Sequence, residues 1–229
     1  MKQKQYIRLL LLLYVLLVSF ACKKDPYDAN SGTFTDKRDN HSYKWVKIGD
    51  QIWMAENLAY LPYLCAPDAQ CGIYVYDYQG TGSASVNYST YGCLYNWETA
   101  LKICPEGWHL PSDEEWMNLE LFLGMKFEDL DRTDIRGIGV NVGGKLKETG
   151  SLHWIDPNTG ATNETGFSAL PGGCFETNRF HSIGIEGYFW SADAVNHSGA
   201  CRFFCNANGL SARWFFEKTM GLSIRCVKN

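Results

Sequence analysis

Residues 91–116, YGCLYNWETALKICPEGWHLPSDEEW, decide the fold class. Leu94, Trp97, Ala100 and Leu101 recur at helical spacing and predict a helix over about 93–103. Pro105 ends it, having no amide hydrogen to continue the ladder. Ser112 followed by Glu115 has the spacing of a capping box, and Asp113, Glu114 and Glu115 suit the positive end of a second helix. Trp116, Leu119, Phe122 and Leu123 supply its apolar face, and Gly124 is placed to close it.

Outward from this stretch the pattern changes. Upstream, WVKIGDQIWM (45–54) alternates around a Gly-Asp turn and predicts a hairpin. IYVYDY (73–78) alternates with Tyr74, Tyr76 and Tyr78 on one face, and residues 80–89 read as a polar Gly/Ser loop. Downstream, GVNVGGKLKETG, GFSALPGGCF, GYFWSA and ACRFFCN read as glycine-punctuated short strands. ARWFFEKTMGLSIRCVKN reads as a terminal hairpin about Thr219-Met220-Gly221. Two helices followed by a run of strands predict an α+β domain, not a doubly wound sheet.

The N-terminus gives an address. Lys2, Lys4 and Arg8 precede LLLLLYVLLV (9–18), an apolar run too short to span a bilayer, which takes about 20 residues. These are the flanks and length of a secretory signal peptide over 1–21. Ser19-Phe20-Ala21-Cys22 resembles a bacterial lipobox, which implies lipidation of Cys22 and a membrane anchor without a spanning helix. KKDPYDANSGTFTDKRDN follows, polar enough to predict a flexible tether over 22–40 and a domain over 41–229. Lysine and acid just after the cysteine also resemble the surface-export signal of some Bacteroidota lipoproteins. The expected place is therefore the outer membrane, exposed at the cell surface.

The net charge of −4, with no basic patch, argues against nucleic acid as a partner. Nine cysteines fit an oxidising compartment. With Cys22 lipidated, the disulfide candidates are Cys65, Cys71, Cys93, Cys104, Cys174, Cys201, Cys205 and Cys226. Cys201 and Cys205 lie in CRFFC, where four strand steps separate them by roughly 13 Å. A disulfide needs Cα atoms within about 7 Å, so these two are expected to bond elsewhere, to Cys93 and Cys174. Cys65 and Cys71 bracket a short loop as a local bridge. Cys104 and Cys226 would then tie the helical region to the last strand.

Six blocks now stand in order: GDQIWMAENL, YGCLYNW, CPEGWHLPSDEEW, ATNETGFSALPGG, FWSA and GLSIRCVKN. Together they resemble the Fibrobacter succinogenes major paralogous domain over about residues 44–228. GWHLPSDEEW and GFSALPGG also look like elements of the C-type-lectin-like and formylglycine-generating-enzyme folds. The resemblance implies a compact, disulfide-stapled, lectin-like domain with two helices flanking small twisted antiparallel sheets and long loops. It also implies an exported, lipid-anchored protein.

Two function classes follow. The first is a surface binding module for a glycan or an envelope protein, with a structural envelope scaffold as its alternative. Tyr74, Tyr76, Tyr78, Trp154 and Trp214 are its aromatic contact candidates, because ring faces stack on sugars and anchor proteins. The second is an enzyme of the formylglycine-generating type, suggested by Cys201 and Cys205, although the spacing departs from that family's motif. The five histidines form no triad or HExxH pattern, so no catalytic residue is assigned. In WIDPNTGATNETG (154–166), Asp156, Asn158, Asn163 and Glu164 place oxygen donors on a glycine-bearing loop. They are the candidates for calcium, the one cofactor considered.

Overall fold

The computed structural model describes residues 29–64, 71–78 and 85–229. Cys22 and Cys65 lie outside the described residues. The strands are β1 (Ser31–Thr35), β2 (Ser42–Ile48), β3 (Gln51–Met54), β4 (Ile73–Tyr74), β5 (Leu94–Tyr95), β6 (Trp108–His109), β7 (Asp134–Arg136), β8 (Cys174–Glu176), β9 (Arg179–His181), β10 (Glu186–Val195), β11 (Ser198–Cys205), β12 (Ser211–Glu217) and β13 (Val227–Lys228). The helices are α1 (Ser85–Tyr91), α2 (Trp97–Ile103), α3 (Asp113–Phe122) and α4 (Val142–Leu146). One sheet runs β1-β2-β3-β13-β6 and a second β10-β11-β12-β7, with two small ladders, β4-β5 and β8-β9. Every ladder is antiparallel, so the chain is α+β as the pattern predicts.

The segment 91–116 folds close to expectation. Ser112 Oγ accepts from the Glu115 amide and Glu115 Oε2 accepts from the Ser112 amide at 2.7 Å, completing the capping box. Gly124 follows the helix at φ +97°, a conformation that favours glycine. The first helix starts later than its periodicity suggests. Leu94 and Tyr95 are drawn into β5, and Asn96 caps α2 by accepting from the Thr99 amide. Cys104 bonds Cys226, closing a separation of 122 residues.

Several local readings are corrected. Residues within 80–89, expected as loop, contribute to α1, where Tyr88 donates to the Ala59 carbonyl at 2.7 Å. Tertiary contact overrides weak helix propensity there. Residues 139–150, expected as strand, hold α4. Cβ atoms at Gly143 and Gly144 would meet the Leu210 and Gly160 carbonyl oxygens at 2.0 and 2.1 Å, so these glycines serve close packing. The tether boundary at 40 is also too late. Residues 31–35 pair with β2, and Phe34 stacks on Trp108 at 4.4 Å. The terminal hairpin does not form. After β12 the chain leaves that sheet, and Val227 pairs with Trp53 and His109 in the first one.

The β10–β11–β12 sheet is covered on both faces, which explains its nearly unbroken apolar runs. Trp190, Cys201 and Phe203 face one core with Tyr95 and Trp108. Phe189 and Phe204 face another with Trp53, Trp116 and Phe167. Arg202, fully buried, bonds Asp113 and Glu120, while Arg136 also bonds Glu120. These ion pairs lock α3 onto the second sheet.

Arg225 gathers the rest. It is fully buried, and its guanidinium donates to Asn57 Oδ1 and to the carbonyls of Met54, Phe167 and Ser168. The rings of Phe167 and Phe189 lie within 4.7 and 5.7 Å of it. Burial pulls its pKa down to about 9. Arg225→Met should cost on the order of 3–5 kcal/mol, because several acceptors lose their donor at once. Urea unfolding checks this, and a midpoint equal to wild type would show that Arg225 is dispensable.

Candidate functional site

Two recesses lie beside β1. The larger, about 1330 Å³, opens between the β2–β3 turn, the C-terminal half of α3 and the loop 163–166. Gly49, at φ +60°, makes the turn and also seats Phe122: a Cβ there would stand 3.0 Å from Phe122 Cδ2. Phe122 itself is 63% exposed. On α3 the buried stripe is Trp116, Leu119 and Leu123, so Leu121 and Phe122 are left facing outward. The smaller recess, about 670 Å³, contains Lys44, Glu56, Glu148 and His153. Both recesses are lined by Ser31, Val46 and Gly166, so they meet across that saddle.

The walls are stiffened by short polar contacts. Asn163, at φ +48°, clasps Ser168: its Oδ1 accepts from the Ser168 amide at 2.9 Å and its Nδ2 donates to Ser168 Oγ at 2.8 Å. Thr165 Oγ1 donates to the Lys145 carbonyl and accepts from the Phe167 amide. Glu164 pairs with Lys145 at 3.5 Å. His153 Nδ1 sits 2.8 and 3.0 Å from the two Glu148 oxygens, with the Tyr91 ring edge-on to the imidazole.

Behind the loop, Lys147 is fully buried. Its ammonium donates to the carbonyls of Thr159, Cys205 and Asn208 at 2.8–3.1 Å and lies 5.2 Å from the Trp154 ring centre. Burial pulls its pKa down to about 8. One side chain thus joins the 155–160 loop to the end of β11.

The aromatic contact candidates are mostly interior, which corrects the sequence reading. Trp154 is fully buried and donates to the Ala169 carbonyl. Tyr74 is buried and stacks on Phe175 at 3.9 Å, while Tyr76 packs on Phe180. Tyr78 faces Tyr88. Ile73–Tyr78 is not one strand, since β4 ends at Tyr74 and Asp77 turns the chain at φ +54°. Trp214 is half-buried, stacked on Phe203 at 4.3 Å.

Three of the calcium candidates are held by separate partners. Asn158 is buried, and its Nδ2 donates to the Glu148 and Gly150 carbonyls. Asn163 and Glu164 have the partners just described, and Asp156 is exposed beside the cis Asp156-Pro157 bond. No group of three or more His, Cys, Asp or Glu side chains suited to a metal occurs among the described residues.

The cysteines split. Cys71 is disulfide-bonded, and Cys65 is its expected partner. Cys201 and Cys205 do not bond each other, but neither do they bond Cys93 or Cys174: all four are free thiols. Cys93, Cys174 and Cys201 fill one core as small apolar groups. Burial pushes each of these three up to about 12, the opposite of what a reactive thiolate needs.

The Fibrobacter succinogenes major domain family model matches residues 46–228. The chain belongs to this family. The match begins within β2 and ends in β13, so it takes in the second sheet and all of the first but β1 and the start of β2 in this Fibrobacter major domain. No curated protein matches the chain. No solved structure matches it either.

Sequence reasoning missed Phe122 as a surface ring and His153 as a recess residue. The spacing puts Phe122 on the apolar face with Trp116, Leu119 and Leu123, but the ring is 63% exposed because it lies at the edge of that stripe. His153 had no signal, because its partner Glu148 lies on the same irregular loop at no regular spacing.

Lys147→Met should cost about 2 kcal/mol, since hydrogen bonds to a charged donor are lost. It should also speed amide exchange at 155–160 and 205–209. Hydrogen-exchange mass spectrometry reads this directly, and unchanged protection in both segments would contradict the tie.

Proposed function

We propose that this Fibrobacter major domain is an exported, lipid-anchored binding module at the outer-membrane surface. Its ligand, a glycan or a protein, sits in the recess beneath Phe122. The observation that carries the reading is the exposed Phe122 ring, held on Gly49 at the edge of an open groove with mixed polar and apolar walls. A large apolar ring beside such a groove supplies stacking area that water does not compete for. Asn118 offers a side-chain amide beside it.

The anchoring part rests on the N-terminal sequence, with Cys22 as the lipidated residue and the membrane as its partner. Among the described residues no helix is long and apolar enough to cross a membrane. A C-type-lectin-like fold is part of the same proposal. Two capped helices against small antiparallel sheets, with β1 and β13 in one sheet, support it.

Phe122→Ala should weaken binding to any ligand found in a glycan and envelope-protein screen by about tenfold or more, with an unchanged melting temperature. Equal affinity in the variant would move the site elsewhere. Mass spectrometry of the mature protein should find an acylated Cys22 as its first residue. An unmodified N-terminus would remove the lipid anchor.

A further inference from the structure

We infer that the two recesses form one continuous site for a neutral, hydroxyl-rich chain, an oligosaccharide laid over the saddle between Phe122 and His153. This rests on the binding reading of the larger recess and assigns its ligand class.

The first support is charge. Glu164 is paired with Lys145 at 3.5 Å, Glu56 with Lys44 at 3.7 Å, and Glu148 with His153 at 2.8 Å. Lys47 and Asp50 stand in the larger recess with opposite signs. A groove whose charges are mostly paired offers little net field to draw an anionic or cationic ligand. Recognition then falls to ring stacking and to hydrogen bonds from amides, hydroxyls and imidazole.

The second support is His153. Glu148 takes up Nδ1. Nε2 has no hydrogen-bond partner among the described residues. It stands at the far end of the site from Phe122, and a sugar hydroxyl, which both donates and accepts, satisfies it. Glu148 acts through His153 as a positioning residue.

The third support is the saddle. Ser31, Val46 and Gly166 line both recesses, and Ser31 is exposed. Gly166, at φ +71°, leaves the space open where a Cβ would press Val46 Cγ1 at 3.1 Å. A ligand long enough to cross contacts both ends, whereas a monosaccharide reaches one.

Purified protein titrated with neutral oligosaccharides of increasing length, chosen from a glycan array, tests this. Wild type should bind trisaccharides or longer more tightly than monosaccharides. His153→Ala and Glu148→Ala should each weaken that binding by about tenfold, and Glu148→Gln, which still accepts from Nδ1, should restore most of it. Ser31→Trp should block the long ligand while leaving a short one on Phe122. Matching thermal melts exclude misfolding of the variants. If His153→Ala and Ser31→Trp bind long glycans as wild type does, the continuous site is overturned. Capture of a charged glycan or a peptide instead, lost in Phe122→Ala, overturns the ligand class while the binding reading stands. A protein that binds none of these overturns both.

Discussion

The fold turns on a buried cation one residue before a disulfide. Arg225 reaches Asn57, Met54, Phe167 and Ser168, segments far apart in the chain. Cys226 fixes the adjoining residue to Cys104. Burying a guanidinium is costly unless nearly every N–H finds an acceptor, so the surrounding carbonyls must be placed together. The last strand lies where that demand is met, in the first sheet between β3 and β6. The same demand fixes the loop 166–168, whose Gly166 lines both recesses.

The elements that were legible in sequence are those specified by local chemistry. The Ser112–Glu115 box, the Gly49-Asp50 turn, the Gly124 closure and the CRFFC strand each depend on residues within a few positions of one another. The elements misread depend on distant partners. Ile73–Tyr78 alternates like a strand, yet only its first two residues find a ladder partner, Leu94–Tyr95. Gly143 and Gly144 look like strand punctuation, but their purpose is to let Leu210 and Gly160 approach. Thr219-Met220-Gly221 resembles a hairpin tip because nothing local announces that Arg225 belongs elsewhere.

The site was less legible than the fold for a related reason. Aromatic residues were the natural contact candidates, but this protein uses tyrosine and tryptophan to build its interior, where indole N–H groups meet carbonyls of Ala169, Ser191 and Tyr95. The exposed ring at the larger recess is a phenylalanine, which its helical spacing assigns to the buried face. The thiols misled in the same direction. Three of the four free ones fill a core between strands, where a sulfur replaces a methyl group.

Lys147 has a consequence for the conditions under which the loops keep their shape. Carbonyl oxygens converging on a positive charge are the usual arrangement around a bound metal ion, which dissociates when its concentration falls. Here the charge is carried on a covalently attached side chain and cannot be diluted or chelated. The tie that Lys147 makes between residues 155–160 and the end of β11 therefore does not depend on a dissociable cation. For a protein expected outside the cell, where divalent ions vary with the surroundings, this contact persists through such changes.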